Sequence, residues 1–193
     1  FKQRLADGKK MRSLLYEKEY KSYSDDLKEL GLEGTFLYPK TVYLIQYLLQ
    51  LIKGNEIVVD FFSGSATTAH AVLHSNIHHR SKETQLKYIM IQLPEDLDQI
   101  VSLSSGDSKV AAEKSIKILD QVNRPHTLDQ IGIERIIRAA KKIKEEHPDT
   151  TADLGFKHFV LEEPSGKQLG DIIDFDRNLN EIFVTNNLVE GFG

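Results

Sequence analysis

Cysteine is absent from this chain, so neither a disulfide nor a thiolate metal site can form, a usage that suits a reducing cytosol. No apolar run approaches the ~20 residues that a membrane-spanning helix needs. The N-terminus, Phe1-Lys2-Gln3-Arg4, has no signal-peptide character and no initiator methionine, and the chain is expected to be a piece of something longer. An excess of positive charge is missing too: the net charge of −4 argues against a free-standing DNA binder, whose phosphate contacts leave a basic balance. Three glycine motifs are incomplete. No lysine follows Gly64 at the spacing of a phosphate-binding loop, which disfavours phosphate transfer. Of the dinucleotide fingerprint only Gly64 is present, with Ala66 and Ala69 in the other places, so NAD is a poor fit. Ser65 is followed by Ala66 and Thr67, which breaks the Gly-x-Ser-x-Gly elbow of the hydrolases.

What remains is an ordinary globular composition, 40% hydrophobic and 28% charged over 193 residues, enough for one domain with extensions. The chain is organised around one stretch. Ile57, Val58 and Val59 form a β-branched run that suits a strand buried on both faces. Asp60 ends it, residues 61–65 turn sharply, and the small residues 66–71 start a helix. Strand, glycine turn and helix N-terminus together make a cradle for a nucleotide-like cofactor. Glycine lets the backbone approach a ligand, while free N–H groups and the helix dipole favour an anionic group. A buried strand-to-helix turn of any kind can also carry Ser-Gly-Ser.

The flanking segments are read in chain order. Residues 1–34 are polar and locally basic, with a short helix over residues 24–30 ended by Gly31. Such an extension can touch phosphates, but the bland reading is a solvated linker. Pro39 stiffens an entry, and Thr41 caps a helix over residues 42–52 whose Leu44, Ile45, Leu48, Leu49 and Ile52 share one face. Residues 77–85 read as a loop and residues 86–93 as a second, parallel strand ending in Gln92-Leu93-Pro94-Glu95. Residues 96–126 say least: Ser104-Ser105-Gly106-Asp107-Ser108 has loop chemistry, and residues 110–122 can be a helix. Thr127-Leu128-Asp129-Gln130 is a capping-box pattern opening a helix to Ile143, with Arg135, Arg138 and several lysines around its apolar residues. It is read as a crossover helix packing on the sheet rather than as a direct DNA contact. Residues 154–161 read as a further strand. His70, His74 and His78 recur every four residues; a zinc site is conceivable at that spacing, but a polar helix face is the sounder reading.

The string Asp60-Phe61-Phe62-Ser63-Gly64-Ser65-Ala66-Thr67-Thr68 resembles the D-x-F-x-G-S-G-T-T cofactor motif of DNA amino-methyltransferases that use S-adenosylmethionine. Ala66 stands where the last glycine is usual. The helix entry Tyr38-Pro39-Lys40-Thr41 resembles the K-P helix entry of the same enzymes, with Thr41 in place of proline, and Gln92 stands where they have an acid. Ile89-Met90-Ile91-Gln92-Leu93-Pro94-Glu95 and Ile131-Gly132-Ile133-Glu134-Arg135-Ile136-Ile137-Arg138-Ala139 are similar to stretches of one subgroup, the modification subunits of type III restriction–modification systems. These stretches fall in one order, and the resemblance covers roughly residues 7–159.

The resemblance implies half of a doubly wound, Rossmann-like α/β methyltransferase domain. Residues 35–163 would be its S-adenosylmethionine-binding region, behind a polar N-terminal extension (1–34) and before a C-terminal extension (164–193). It implies a cofactor set of Tyr38, Lys40 and Thr41 at the helix entry, Asp60, Phe61, Phe62, Gly64, Ser65, Thr67 and Thr68 in the turn, and Gln92, Leu93 and Glu95 at the strand end. The implied reaction is methyl transfer to adenine N6 by a longer bacterial, cytoplasmic protein that meets double-stranded DNA, a restriction subunit and a second modification subunit. No membrane partner is implied. The D-P-P-Y type motif that holds the target amino group in such enzymes is absent: there are five prolines and no two are adjacent. The chain alone is therefore expected to bind cofactor without methylating DNA. The rival reading is a non-catalytic docking or dimerisation module derived from a methyltransferase; a third is methylation of another substrate, such as RNA.

Overall fold

The β-branched run forms a strand, β1 (Ile57–Asp60), which pairs in parallel with β2 (Lys87–Met90) in the register Ile57↔Lys87 to Asp60↔Met90. This is a computed structural model, and it describes residues 23–78 and 81–160. Around the two strands lie six helices among the described residues: α1 (Tyr23–Glu29), α2 (Val42–Leu49), α3 (Thr67–His78), α4 (Leu97–Leu103), α5 (Gly106–Gln121) and α6 (Leu128–Glu146). The mixture of helices with a small parallel sheet is an α/β arrangement. The described residues fall into two units that divide between Asp153 and Leu154. In the second, residues 154–160 carry a single bridge residue at His158 instead of the expected strand.

Each element has a local cause. The Thr41 hydroxyl accepts from the Leu44 N–H at 3.1 Å and starts α2, as its position before the apolar run requires. Gly31, at φ +66°, ends the turn after α1. Asp96 caps α4 by accepting from the N–H groups of Asp98 and Gln99. Two expectations fail for local reasons. The helix α5 begins at Gly106, inside the stretch read as loop, because Ser105 is extended and Gly106 takes φ +63° to open it. Thr127 precedes α6 without a side-chain cap, since the Gln130 N–H donates to the Thr127 carbonyl at 3.1 Å, and the Gln130 side-chain amide pairs with Arg124 and Asp129.

The inner face of the sheet, Val58 and Tyr88, packs with Ile45 and Leu49 of α2, with Ile52 just beyond it, and with Ala71 and Val72 of α3. The outer face does not match the expected strand buried on both sides. Ile57 is 57% exposed and Val59 44%, and Ile89 beside them is also open. Among the described residues nothing is layered on that side. Helix α6 packs along α3 rather than lying on the sheet, and Leu27, Leu30 and Leu32 of the α1 region close against its Ala139. A second apolar cluster, Leu97, Ala112, Leu119 and Ile131, holds α4, α5 and α6 together. No helix among the described residues is long and apolar enough to cross a membrane.

Candidate functional site

The turn after β1 is set by two residues with left-handed backbones. Gly64 has φ +48° and Ala66 has φ +53°. The first suits glycine; the second is strained in an alanine, by about 1–2 kcal/mol for an L-residue in that region. The turn is pinned to the neighbouring strand, because the Ser63 N–H donates to the Ile91 carbonyl and the Gly64 N–H donates to Gln92 Oε1 at 2.8 Å. The Ala66 N–H closes the turn onto the Ser63 carbonyl at 2.7 Å. Helix α3 then begins, with its first amides directed out of the helix end.

Side chains gather under this turn. Asp60 accepts from the Thr68 hydroxyl at 2.7 Å and from the Phe62 N–H at 3.3 Å. Ser65 and Thr67 hydroxyls stand 3.0 Å apart, and Thr67 also donates to the Lys40 carbonyl, which ties the α2 entry to the α3 start. Thus Lys40, Asp60, Gly64, Ser65, Thr67, Thr68 and Gln92 are brought together. Phe61 and Phe62 project into solvent at the rim. Thr41 serves α2 as its cap. Tyr38, Leu93 and Glu95 are not tied to the turn by any hydrogen bond among the described residues; Glu95 instead offers its carbonyl to the Leu128 N–H ahead of α6.

One participant escaped the sequence reading. Arg135 of α6, placed there among residues surrounding the apolar face, is 1% exposed, and its Nη1 donates to the Ser65 carbonyl and to the Ser65 and Thr67 hydroxyls. Burial lowers its pKa to about 10, so it remains a cation at neutral pH. The signal was present in the helical phase. Ile131, Arg135, Ala139 and Ile143 repeat every fourth residue and all four are buried, so Arg135 lies on the apolar stripe itself.

His70 does not lie on a solvated face, and the side chain of His78 lies outside the described residues. His70 is buried, its Nδ1 without a partner among the described residues, and desolvation, then the charge of Arg135, lowers its pKa to about 3. His74 meets Gln46 of α2 at 3.1 Å. Among the described residues no group of three His, Cys, Asp or Glu side chains could hold a metal. A cavity of ≈ 470 Å³ lined by Asn76, Gln85 and residues 146–152 sits near the far ends of α3 and α6, away from the turn.

Ala66→Gly tests the geometry of the turn directly. Relief of left-handed strain is partly offset by the greater freedom of an unfolded glycine, leaving a gain of up to ~1 kcal/mol. A urea titration should show a higher midpoint for the variant, and a lower one would contradict the strained backbone.

A strand, a glycine turn and a helix start supported by a buried cation define a small α/β unit. Comparison with known proteins makes the class specific. The chain is 30% identical over 168 residues, 86% of its length, to the Mod subunit of the type III restriction-modification enzyme StyLTI from Salmonella typhimurium. It is 33% identical over 141 residues, 72% of its length, to the Mod subunit of the type III enzyme EcoP15I from Escherichia coli. The chain belongs to the family of type III modification subunits. It spans 23% and 18% of the lengths of those two relatives. No family model matches the sequence.

Proposed function

We propose that this chain is the cofactor-binding part of a type III modification subunit, a site-specific DNA methyltransferase that acts on adenine N6. The turn between β1 and α3 would hold S-adenosylmethionine. The observation that carries the reading is the shape of that turn. A Cβ built on Gly64 meets nothing nearer than the Phe62 carbonyl at 3.9 Å, so the space above the turn is open to a ligand. The amides at the start of α3 suit the cofactor's carboxylate. Gly64, Ser65, Thr67 and Thr68 would line the contact, Asp60 would hold the turn through Thr68, and Lys40 and Thr41 would border the methionine end. Gln92, Leu93 and Glu95 would lie toward the ribose, Gln92 while keeping its bond to Gly64, and Tyr38, Phe61 and Phe62 would form the rim. When bound, the cofactor supplies an electrophilic methyl group on a sulfonium.

The open outer face of the sheet fits the same reading. A doubly wound, Rossmann-like domain covers both faces of its parallel strands, and a longer protein would supply the missing layer over Ile57, Val59 and Ile89. The target-binding residues, the contacts with double-stranded DNA and with a restriction subunit, and pairing with a second modification subunit belong to that longer bacterial, cytoplasmic protein. Calorimetric titration of the 193-residue chain with S-adenosylmethionine tests the reading. Saturable binding is expected, without transfer of labelled methyl to duplex DNA by this chain alone. A folded chain that ignores the cofactor would favour the docking-module reading, for which the exposed Ile57, Val59 and Ile89 face is the supporting observation.

A further inference from the structure

Helix α6 approaches the turn more closely than ordinary helix packing allows. At Gly132 an added Cβ would stand 3.1 Å from the Gly64 carbonyl and 3.5 Å from the Ala66 Cβ, so the helix backbone lies directly against the turn. One position along the same face, Arg135 crosses under it. Its Nη1 is 2.7 Å from Thr67 Oγ1 and 3.0 Å from both the Ser65 carbonyl and Ser65 Oγ. Its Nε and Nη2 have no partner among the described residues. Burying a guanidinium with two idle donors opposes folding, and the three acceptors it satisfies offset that cost, since each would be left without this donor if the arginine were replaced. Filling space alone gives no reason for an arginine here. Its bonds do: all three go to residues 65 and 67, at the corner where the turn becomes α3.

We infer that Arg135 is a positioning residue for the cofactor turn. It holds the Ser65 carbonyl and the Ser65 and Thr67 hydroxyls in place, while Gly132 permits the close approach. The turn's amides then keep the orientation that the ligand meets, because the corner cannot relax away from them. Thr67 passes the constraint on to the α2 entry through the Lys40 carbonyl. This inference rests on the cofactor reading above, but the order of the turn can be measured without any ligand.

Arg135→Met and Arg135→Lys separate positioning from bulk stability. Amide hydrogen exchange would follow Gly64, Ala66 and His70, whose N–H groups bond to Gln92, Ser63 and Ala66. Calorimetry would follow S-adenosylmethionine. For Arg135→Met the expected result is a folded chain with a lower urea midpoint, because three acceptors lose their donor, exchange at those amides accelerated beyond that general loss, and affinity weakened about tenfold, the effect of losing hydrogen bonds to a charged group. Lysine keeps a cationic donor and should restore most of both readings. Unchanged exchange in folded Arg135→Met, or a lysine variant no better than methionine, overturns the inference. If the methionine variant does not fold, Thr67→Val removes the shortest bond and should give the same local pattern; parental exchange in it likewise overturns the inference. Should the parent chain itself fail to bind S-adenosylmethionine, the cofactor reading falls while the exchange data still decide whether Arg135 orders the turn.

Discussion

Gly64→Val is expected to lower S-adenosylmethionine affinity by about 100-fold or more while leaving the chain folded, since a buried ligand displaced by two methyl groups loses several kcal/mol of contact. The two effects have separate causes. Gly64 has φ +48°, and a β-branched side chain there strains the backbone by roughly 2 kcal/mol. That lowers stability, while the Cβ itself meets nothing nearer than the Phe62 carbonyl at 3.9 Å. The isopropyl group instead stands in the volume assigned to the cofactor. Any shift of residue 64 toward negative φ would also pull its N–H from Gln92 Oε1, now 2.8 Å away, and loosen the tie between the turn and the tip of β2. Gly64→Ala carries similar backbone strain with less bulk and should bind with intermediate affinity. Thermal unfolding with and without cofactor reads both effects, because a ligand that binds only the native state raises the midpoint. A folded valine variant that keeps the parent's ligand-induced shift would remove the turn from the binding site.

The strand, reversal and helix start were legible in the sequence because three β-branched residues, one glycine and a run of small residues encode them locally, whereas the ties that hold the turn, from Gln92 and Arg135, come from distant chain. The parallel partner was legible for the same reason, although the ladder runs only from Lys87 to Met90. Long-range choices were not. Whether the outer face of β1 is covered depends on what lies over Ile57 and Val59, and a β-branched run carries no information about that. Ala66 shows a finer gap: the sequence places it where a glycine is usual, and only the backbone, at φ +53°, shows why glycine is the unstrained choice there.

Arg135 and His70 were misread together, and they meet across the same contact. Each is a polar residue on a helix face that the partner helix covers, and composition assigned both to water. The phase of α6 places Arg135 in line with Ile131 and Ala139, so periodicity outranked residue type. For α3 the small residues Ala69 and Ala71 allow neighbours to close in on both sides, which takes His70 out of solvent. The helix α4 was missed although its start signal is local, the Asp96 carboxylate accepting from the Asp98 and Gln99 N–H groups.

The buried histidine gives the chain a steep acid limb. The folded-state pKa of His70 lies near 3 against an ordinary 6.5, with desolvation the main cause and the charges of Arg135, His74 and Lys142 adding to it. The unfolded chain therefore takes up a proton below pH about 6.5 that the native chain refuses until about 3. Stability is fully present above 6.5, declines through that window by about 1.4 kcal/mol per pH unit, and levels off below the folded value. From pH 6.5 to 4.5 this one group should cost roughly 2–3 kcal/mol, a large share of the stability of a domain this size. His70→Leu removes the titration and the unpartnered Nδ1 at once, in a site already apolar on the Ala71 and Val72 side. Urea midpoints measured between pH 7 and 4.5 should fall distinctly less for the leucine variant than for the parent. Parallel curves would mean that His70 is solvated in the native chain, and would separate α3 from the close packing against α6 on which the placement of Arg135 depends.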